Sequence, residues 1–569
     1  MCSKERAGGR FSNLVRKLVA PTSGVELKIT VLFLLLNLIG NIPYYVYEKL
    51  YGTTERNTAW FLVVAICVSC TLAYMEALGA YALRKIPRVR TVYVVLIAAV
   101  YNVFILIDYF CLYKFHTCFL HEFFDAVWQT SLSESMQFLR TYLTMGTVVA
   151  LLVGVALFNL IVVLLSKLVA KVRNVAYFIA VLGVLGLACW GYMAVWFVLY
   201  RSSTHFHLCS APTRFVYLYG KAMYQKRGIS TLCSACEQVN EVCAFADAPN
   251  VVVVIGESAS VYHSQFYGYN LPTTPIIQRL QEQGELIAFD NAVSVADYTY
   301  RVMKSVYSLD SMGVDFFNTP LFPAVYKGCK WKTSLYDNSY YAGKGNTFLS
   351  DVRLSEILFD IRNKHGYDYD GDLVNIVEVQ PKESLCVIHL FGQHFLYDER
   401  YPESWKYFTP DLYDKERWNE RQREIIAKYD NAMRYNDYVL GQIIDKFRHT
   451  NSVIIYFSDH GQEVFELRDF NGHGTAAQSP DLRYQIRVPM FIWMSAEYRE
   501  KHPDIYERAL ANKHTPIITD DVSHTILGLG GVQSEWYSPT RDFLNPEYLS
   551  KKQRIVLNSI DYDERIRAY

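Results

Sequence analysis

Five long apolar stretches constrain the fold of this chain more than any other feature of its sequence. Each is long enough to cross a bilayer, which takes about 20 helical residues. They run over Ile29–Tyr47, Thr58–Leu83, Thr91–Tyr113, Thr141–Leu165 and Ala176–Tyr200. Helices of a soluble bundle keep a polar stripe, and these stretches lack one. A cleaved signal peptide is disfavoured, because four further stretches follow the first. We therefore predict five transmembrane helices within residues 1–200.

The charges of the connecting loops predict how these helices are oriented. The second and fourth loops are basic, whereas the first and third are mainly acidic. The basic residues of the second and fourth loops are Arg84, Lys85, Arg88, Arg90, Lys167, Lys171 and Arg173. The acidic residues of the first and third loops are Glu48, Glu55, Glu122, Asp125 and Glu134. The positive-inside rule then places the N-terminus in the cytoplasm. Because the number of spans is odd, everything after Tyr200 lies on the opposite side.

The bulk composition excludes nucleic acid as a partner and favours contact with a membrane. The chain has 56 basic and 56 acidic residues and no net formal charge, so it lacks the basic footprint expected for nucleic-acid binding. It has 44 Tyr, 32 Phe and 9 Trp, a content typical of proteins with much surface at a lipid–water boundary. At 569 residues the chain also exceeds one ordinary domain.

Residues 201–250 are predicted to form a linker between the membrane part and a second domain. Tyr217, Tyr219 and Tyr224 interleave there with basic residues, which favours either an interfacial helix or a simple tether. Six cysteines follow the last span, an even number that permits disulfides in an oxidising compartment. They are Cys209, Cys233, Cys236, Cys243, Cys329 and Cys386. A zinc or redox site at the Cys233–Cys236 pair is the alternative, and Cys386 lies in an apolar run typical of a buried strand.

Residues 251–569 alternate between strand-like and helical patterns. Short apolar runs occur at Val251–Ile255, Leu385–Phe391, Val453–Phe457 and Val488–Trp493. A helical spacing of apolar residues extends over Arg423–Arg448. Strands alternating with helices predict an α/β sandwich with a mostly parallel central sheet.

Polar residues follow these strands, at the edge where open α/β sheets place their sites. Glu257 follows the first run, His394 the second, and Asp459 and His460 the third, while His473 precedes the fourth. Carboxylates and imidazoles that converge from strand ends are suited to Zn²⁺. With an oxygen nucleophile, such a site can carry out phosphoryl chemistry.

Several motifs in this region resemble those of the phosphoethanolamine transferases, a family of the alkaline phosphatase and sulfatase superfamily. These motifs include the predicted metal ligands and other segments between them along the sequence. They are Ile255-Gly-Glu-Ser258, Tyr267-Gly-Tyr-Asn-Leu-Pro-Thr-Thr-Pro275, Arg400-Tyr-Pro402, Phe408-Thr-Pro410, Tyr429-Asp-Asn431, Tyr435–Asp437, Ser458-Asp-His-Gly461, and His473 with Val488-Pro489. The resemblance extends over nearly the whole chain, including the membrane part.

The resemblance implies a zinc enzyme with a threonine nucleophile. Thr299 occupies that position, with Ser294 as the alternative, and Glu257, Asp459 and His460 complete the zinc ligands. A metal would lower the pKa of the threonine hydroxyl, which is otherwise a poor nucleophile. Such enzymes transfer phosphoethanolamine from phosphatidylethanolamine, through a covalent threonine intermediate, to lipid A or the lipopolysaccharide core. The implied location is the bacterial inner membrane, with the catalytic domain in the periplasm.

Further residues take roles through the same resemblance. His394 and His473 are expected to bind the phosphoryl group or a second zinc, and Lys344 to add positive charge to the transition state. Thr130 and Glu134 are expected to approach the ethanolamine end of the lipid, or to be solvated loop residues.

Two ionisable residues within or near the predicted spans are also candidates. An ionisable group at membrane depth is a functional candidate by default. Glu76 and Asp108 meet this description. The alternative is that they pair structurally between helices.

Three other functions compete with this hypothesis. A sulfatase would need a nucleophile motif, to which Ser210-Ala-Pro-Thr-Arg214 is only partly similar. This segment also precedes the first metal-binding strand, whereas the sulfatase nucleophile follows that strand. A glycerol-phosphate transferase of the lipoteichoic-acid-synthase type also combines five spans with a threonine nucleophile. A non-catalytic envelope sensor would be expected to have lost a metal ligand, and the predicted ligands are all present.

The loop charges generate the first testable prediction. Reporter domains fused at Gly8 and Pro249 should report opposite compartments, with Gly8 in the cytoplasm, because five spans separate them. Paired fusions of a reporter active only in the cytoplasm and one active only outside it provide the measurement. If both positions report the same compartment, the number of spans is even.

Overall fold

The computed structural model describes residues 24–51, 58–120, 123–124, 127, 132–200, 209–239, 242–243, 247–339, 347–474 and 480–565. The chain divides into two compact units. One contains Met1–Phe124 and Tyr142–Met223, and the other contains Asp125–Thr141 and Tyr224–Tyr569.

The first unit is helical throughout its described part. Its helices are α1 (Gly24–Gly40), α2 (Ile42–Tyr51), α3 (Thr58–Ala82), α4 (Pro87–Phe115), α6 (Met145–Val169), α7 (Val175–Tyr200) and the first half of α8 (Ala211–Glu237), while α5 (Leu132–Tyr142) lies mainly in the second unit. Five segments are long and apolar enough to cross a membrane, as predicted: Glu26–Leu50, Leu62–Ala82, Pro87–Phe115, Met145–Val169 and Val175–Val195. Within the predicted linker, residues 201–250, α8 is one continuous helix of 27 residues.

Polar side chains within the first unit bond to one another between helices. The Tyr101 hydroxyl donates to Glu76 Oε1 at 2.6 Å and also lies 2.9 Å from Asn37 Oδ1. Asp108 and Arg214 form an ion pair in which both side chains are about 1% exposed. In an apolar environment such groups are stabilised by partners on neighbouring helices. Both candidates, Glu76 and Asp108, are thus engaged in structural pairing.

The second unit is built on a seven-stranded sheet. Its strands are β1 (Asn250–Gly256), β2 (Leu286–Phe289), β3 (Lys332–Asp337), β4 (Ile361–Arg362), β5 (Ser384–His389), β6 (Ser452–Ser458) and β7 (Met490–Met494). They are ordered β2-β7-β6-β1-β5-β3-β4. Strands β6, β1, β5, β3 and β4 are parallel, and β7 is antiparallel to both β6 and β2. The prediction of a mostly parallel sheet is confirmed.

Both faces of the sheet are covered, which explains its continuous apolar strands. Alternate residues of β1 enter two different cores, with Val251, Val253 and Ile255 in one and Val252 and Val254 in the other. Since successive side chains of a strand point to opposite faces, a strand buried on both faces is apolar at every position. This arrangement is the predicted α/β sandwich.

The helices of the second unit pack on these two faces. They are α9 (Pro275–Glu282), α10 (Thr299–Tyr307), α11 (Phe322–Gly328), α12 (Val352–Leu358), α13 (Asp370–Asn375), α14 (Glu420–Phe447), α15 (Leu482–Ile486), α16 (Ala496–Lys501), α17 (Pro503–Ala511), α18 (Val522–Leu529) and α19 (Tyr562–Arg565). Helix α14 begins with a capping box between Asn419 and Gln422, whose side chains each accept the other's backbone N–H at 3.0 Å. Its apolar face, including Met433 and Leu440, enters the core that contains Val252 and Val254.

Short strand pairs complete the second unit. Val242–Cys243 pairs with Val532–Gln533, Ala292–Val293 with Ile517–Ile518, Glu463–Val464 with Asn471–Gly472, and Ile555–Val556 with Ile560–Asp561. The Glu463–Asn471 hairpin matters most for the site, because it connects His460 to His473.

Candidate metal centre

The register of the parallel sheet places two carboxylates side by side. Gly256, the last residue of β1, pairs with Ser458, the last residue of β6. The next residues are Glu257 and Asp459, whose side chains are at most 2% exposed. The Asp459 amide donates to the Gly256 carbonyl at 2.9 Å, which extends the ladder past the strand ends. Strand pairing alone therefore brings together two acidic residues that are 202 positions apart in the sequence.

His460 adds an imidazole in a defined tautomer. Its Nδ1 lies 2.8 Å from the Gly461 carbonyl oxygen, which can only accept, so Nδ1 carries the proton. Nε2 is then the nitrogen left for a ligand, and it lies 3.5 Å from Glu257 Oε1 and 3.3 Å from Asp459 Oδ2. Fixing one ring nitrogen in this way is how proteins orient histidine ligands of metals.

The remaining hydrogen bonds orient both carboxylates. Asp459 Oδ1 accepts from the amides of Ser258 at 3.0 Å and His460 at 2.7 Å. Glu257 Oε1 accepts from the Ser258 hydroxyl at 2.8 Å. Asp459 Oδ2 is buried and, among the described residues, has no hydrogen-bond partner. An acceptor atom in that state is strongly disfavoured unless a cation binds it.

These atoms form a donor set that fits a metal ion. One ligand atom from each of Glu257, Asp459 and His460 lies within 4.8 Å of the others. Carboxylate oxygens and an imidazole nitrogen thus face one another in a buried space, an arrangement that a divalent cation would stabilise. Two carboxylates with one imidazole are ligands that zinc accepts.

The electrostatics of the pair lead to the same conclusion. Burial, reinforced by the neighbouring Asp459 carboxylate, raises the pKa of Glu257 well above its ordinary value. Two adjacent buried carboxylates disfavour the ionised form of one of them unless positive charge is supplied. A bound metal supplies that charge and would restore the ionised form.

Thr299 completes the cluster with a hydroxyl. It is the first residue of α10, and its Oγ1 lies 3.1 Å from Glu257 Oε2 and 3.4 Å from His460 Nε2. The side chain is partly exposed, so a substrate can reach it. Its position at the start of a helix favours developing negative charge, because the first turn of a helix presents unpaired N–H groups.

Ser294, the alternative nucleophile, lies nearby in a different environment. It is fully buried, and its hydroxyl donates to the backbone carbonyl of Asp459. A hydroxyl committed to a carbonyl and shielded from solvent is poorly placed to attack a substrate. The geometry favours Thr299 over Ser294.

His473 lies against the candidate ligands. Its ring centroid is 4.1 Å from that of His460. Its Nδ1 lies 2.8 Å from Gln462 Oε1, and the Gln462 amide nitrogen donates to the Tyr397 hydroxyl at 2.6 Å. Burial, with the nearby His460 and His394 rings, lowers the pKa of His473 well below its usual value. His473 is therefore neutral, with Nδ1 protonated and Nε2 available as an acceptor.

The rings of His394 and His473 are linked by an aromatic residue that the motif search did not identify. Phe395 stacks on His473 at a centroid distance of 5.2 Å and meets His394 edge-on at 4.9 Å. The ring centroid of Phe138 in α5 lies 6.3 Å from that of Phe395. The only sequence signal for Phe395 is its position directly after His394, and an apolar residue at that position normally indicates packing.

The loop that carries His394 is held by an acidic residue that sequence reasoning also missed. Asp370 accepts from the amides of Phe391 and Gly392, both at 2.8 Å. Gly392 has a φ of +48°, and a Cβ there would approach the Glu257 carbonyl oxygen to 2.7 Å. Glycine is therefore needed at this position, because the loop crosses directly over the metal-site backbone.

A second acid–histidine pair lies at the same edge of the sheet. His389 ends β5 and Asp337 ends β3, with His389 Nδ1 3.1 Å from Asp337 Oδ1. Burial lowers the pKa of His389, but the Asp337 carboxylate outweighs it and raises that pKa above its usual value. In the sequence, His389 lies inside the apolar run Leu385–Phe391, where it indicates a buried strand residue and not a site.

Three predicted site residues have no described side chain. Thr130 and Lys344 lie outside the described residues, and Glu134 belongs to α5 while its side chain lies outside them. Their roles remain predictions.

The cysteines form no disulfide among the side chains that the structure describes. This holds for ten cysteines, including the Cys233–Cys236 pair within α8 and the buried Cys386 in β5. The side chain of Cys243 lies outside the described residues.

Comparison with known families agrees with this fold and site. The sulfatase family model matches residues 249–532. That span contains the seven-stranded sheet and the cluster formed by Glu257, Thr299, Asp459 and His460. The second unit of the chain therefore contains a sulfatase-type domain.

The more specific relatives share one activity in their names. The chain is 26% identical over 364 residues to phosphoethanolamine transferase EptC of Escherichia coli O18:K1:H7, covering 60% of this chain and 61% of the relative. It is 28% identical over 286 residues to phosphoethanolamine transferase EptA of Helicobacter pylori, covering 49% of this chain and 53% of that protein. The chain thus spans about three fifths of the length of the curated relatives it matches.

Solved structures extend the likeness in fold. The integral membrane protein lipooligosaccharide phosphoethanolamine transferase A of Neisseria meningitidis matches with a TM-score of 0.57 at 18% identity, covering 92% of this chain and 98% of that one. The C-terminal periplasmic domain of Escherichia coli EptC, in complex with Zn, matches with a TM-score of 0.50 at 24% identity, covering 57% of this chain and 97% of that one. The first of these two likenesses in fold covers nearly the whole of this chain.

The geometry of the cluster predicts which residues hold a metal. The double variant Asp459→Ala, His460→Ala should lose bound zinc, because it removes two of the three converging ligands. The measurement is zinc content of the purified full-length protein after equilibration with a weak chelator. Zinc affinity should also fall as the pH is lowered, since the raised pKa of Glu257 makes protons compete with the metal.

A matched control is available elsewhere in the second unit. Asp290 and His514 form an exposed acid–histidine pair, with side chains 48% and 68% exposed. The Asp290→Ala, His514→Ala variant should keep its zinc. Undiminished zinc in the Asp459→Ala, His460→Ala protein would contradict the assignment.

Proposed function

We propose that this protein is a membrane-anchored, zinc-dependent phosphoethanolamine transferase. It takes phosphoethanolamine from phosphatidylethanolamine and transfers it to lipid A or the lipopolysaccharide core. The observation that carries the proposal is the Thr299 hydroxyl, 3.1 Å from Glu257 and 3.4 Å from His460 in the buried cluster. The phosphoethanolamine transferases among its relatives support the choice of transferred group.

Zinc is the metal that suits the ligands and the reaction. Glu257, Asp459 and His460 would hold it, and the related Escherichia coli domain was crystallised with Zn. When bound, zinc lowers the pKa of a coordinated hydroxyl and so generates a nucleophile near neutral pH. Thr299 is the hydroxyl placed to benefit.

In the first step, Thr299 attacks the phosphorus of phosphatidylethanolamine. The Thr299 Oγ–P bond forms, the bond between phosphorus and the diacylglycerol oxygen breaks, and diacylglycerol leaves with the proton released by Thr299. Glu257 Oε2, 3.1 Å from the hydroxyl, is positioned to accept that proton first. The N-terminal N–H groups of α10 stabilise the negative charge of the phosphoryl oxygens.

In the second step, an oxygen of the acceptor attacks the phosphothreonine. The acceptor–phosphorus bond forms, the Thr299 Oγ–P bond breaks, and the proton released by the acceptor hydroxyl passes to Thr299. His394 and His473 are proposed to bind the phosphoryl group or a second zinc, and Nε2 of the neutral His473 suits a metal or a protonated phosphoryl oxygen. Lys344 is proposed to add positive charge, and Thr130 with Glu134 to bind the ethanolamine ammonium.

The proposal includes a location. Five helices are long and apolar enough to span a membrane, and the basic loops place the domain after the last span outside the cytoplasm. We infer that the protein resides in the bacterial inner membrane with its catalytic domain in the periplasm. Both the lipid donor and a glycolipid acceptor are then accessible from one membrane surface.

The transferred group and the acceptor can be identified together. Mass spectrometry of envelope glycolipids from cells with and without the protein should show a mass increment of one phosphoethanolamine on lipid A or the core oligosaccharide. A glycerol-phosphate increment would instead identify a transferase of the lipoteichoic-acid-synthase type. Identical glycolipids and polymers in both cells would indicate a non-catalytic protein.

The mechanism depends on Thr299. Incubation of the purified protein with phosphatidylethanolamine and without acceptor should add one phosphoethanolamine to the peptide that contains Thr299, measured by peptide mass spectrometry. Thr299→Ala should abolish the adduct and reduce turnover at least about a thousandfold, because the nucleophile, metal and phosphate-binding groups act as one unit.

Ser294→Ala is the matched control for this experiment. It removes a neighbouring hydroxyl that is buried and bonded to the Asp459 carbonyl, so the Thr299 adduct should persist. An adduct on Ser294 would move the nucleophile by five residues and retain the enzyme class. Full turnover in the Thr299→Ala protein would rule out the covalent mechanism.

A further inference from the structure

The turn that follows Glu257 contains an unfavourable backbone conformation. Ser258 has a φ of +58°, in the left-handed region that residues other than glycine seldom adopt. It is fully buried. A non-glycine residue persists in this region only where its surroundings hold it there.

Tyr429 of α14 holds this turn from the opposite side. Its hydroxyl donates to the Ser258 carbonyl at 2.7 Å and accepts from the Ser260 amide at 2.9 Å. One oxygen atom thus bridges the backbone on both sides of Ala259. The Tyr429 side chain is fully buried, so water cannot easily replace the hydroxyl if it is removed.

The next residue of the helix fixes the far end of the same turn. Asp430 Oδ1 lies 2.6 Å from His263 Nδ1, and Asp430 Oδ2 accepts from the hydroxyls of Tyr269 at 2.8 Å and Tyr413 at 2.7 Å. Glu466 lies 3.3 Å from the other ring nitrogen of His263. Although burial opposes it, these two carboxylates raise the pKa of His263 to about 10. The turn is therefore anchored on α14 through a buried, charged pair.

Ser258 is also the residue that orients both candidate carboxylates. Its amide donates to Asp459 Oδ1 at 3.0 Å, and its hydroxyl donates to Glu257 Oε1 at 2.8 Å. The left-handed conformation at Ser258 is what directs these two donors to different carboxylates. Whatever fixes Ser258 therefore fixes the geometry of the ligands.

We propose that Tyr429 is a positioning residue of the metal centre, acting through the backbone of Ser258 and Ser260. Both of its hydrogen bonds go to backbone atoms and not to the side chains of the ligands or of Thr299. The Tyr429 hydroxyl holds the turn in the conformation in which Glu257 Oε1 and Asp459 Oδ2 face His460 Nε2. This inference rests on the metal site of the proposed function and adds a residue to it.

The test compares zinc affinities of full-length variants in detergent, measured by competition with a chromophoric chelator. Tyr429→Phe removes one oxygen atom and should weaken zinc binding about 10- to 100-fold, the usual effect of changing a residue that supports a metal ligand. Tyr498→Phe is the matched control. Tyr498 is also fully buried, and its hydroxyl donates to the Leu529 carbonyl at 2.8 Å. Tyr498 lies in α16, shortly after the end of β7. Because β7 is antiparallel to β6, this end of β7 lies beside the start of β6, at the end of the strands opposite to the metal centre.

Tyr498→Phe should bind zinc like the wild type even if its melting temperature falls. A purely structural role for Tyr429 predicts that both variants lose stability while zinc affinity stays unchanged, and that result would overturn the proposal. Failure of the wild type to bind zinc would instead refute the metal site itself.

A second variant tests the same turn without altering α14. The Ser264 hydroxyl donates to the Ser260 carbonyl at 2.7 Å, so Ser264→Ala loosens the turn from its other side. It should weaken zinc binding in the same direction, by a smaller factor than Tyr429→Phe. If Tyr429→Phe does not fold, wild-type zinc affinity in Ser264→Ala would overturn the proposal.

Discussion

The pairing of β1 with β6 is the constraint on which the rest of the site depends. Their register sets Gly256 against Ser458 and thereby brings the carboxylates of Glu257 and Asp459 together in a buried space. Two such groups repel each other, and Nε2 of His460 faces both of them. The fold therefore maintains an arrangement that is unfavourable without a cation and favourable with one.

Hydrogen bonds to the other atoms of these side chains hold the metal-facing atoms in place. Hydrogen bonds occupy Oδ1 of Asp459 and Nδ1 of His460, so that Oδ2 and Nε2 are left for a ligand. Helix α14 supports this division from one side through Tyr429, and Asp370 supports the neighbouring loop from another. A metal site assembled in this way depends on many residues that never contact the metal.

A neutral His473 suits the chemistry proposed for the site. His473 is held neutral by burial and by two other imidazoles, and Phe395 stacks on its ring. A charged imidazole there would bind phosphate tightly but would also repel a cation held by His460. Keeping the ring neutral avoids that repulsion.

The sequence by itself determined the five apolar helices, the parallel α/β domain and the metal cluster, since hydrophobic periodicity and strand-end motifs are local signals. It also singled out Thr299, although Ser294 remained open until the structure showed that its hydroxyl is bonded to Asp459. Only the tertiary structure revealed the roles of Tyr429 and Asp370. Their partners are backbone amides and carbonyls of segments distant in sequence. Backbone groups are the same in every residue, so no sequence pattern records which side chain will bind them.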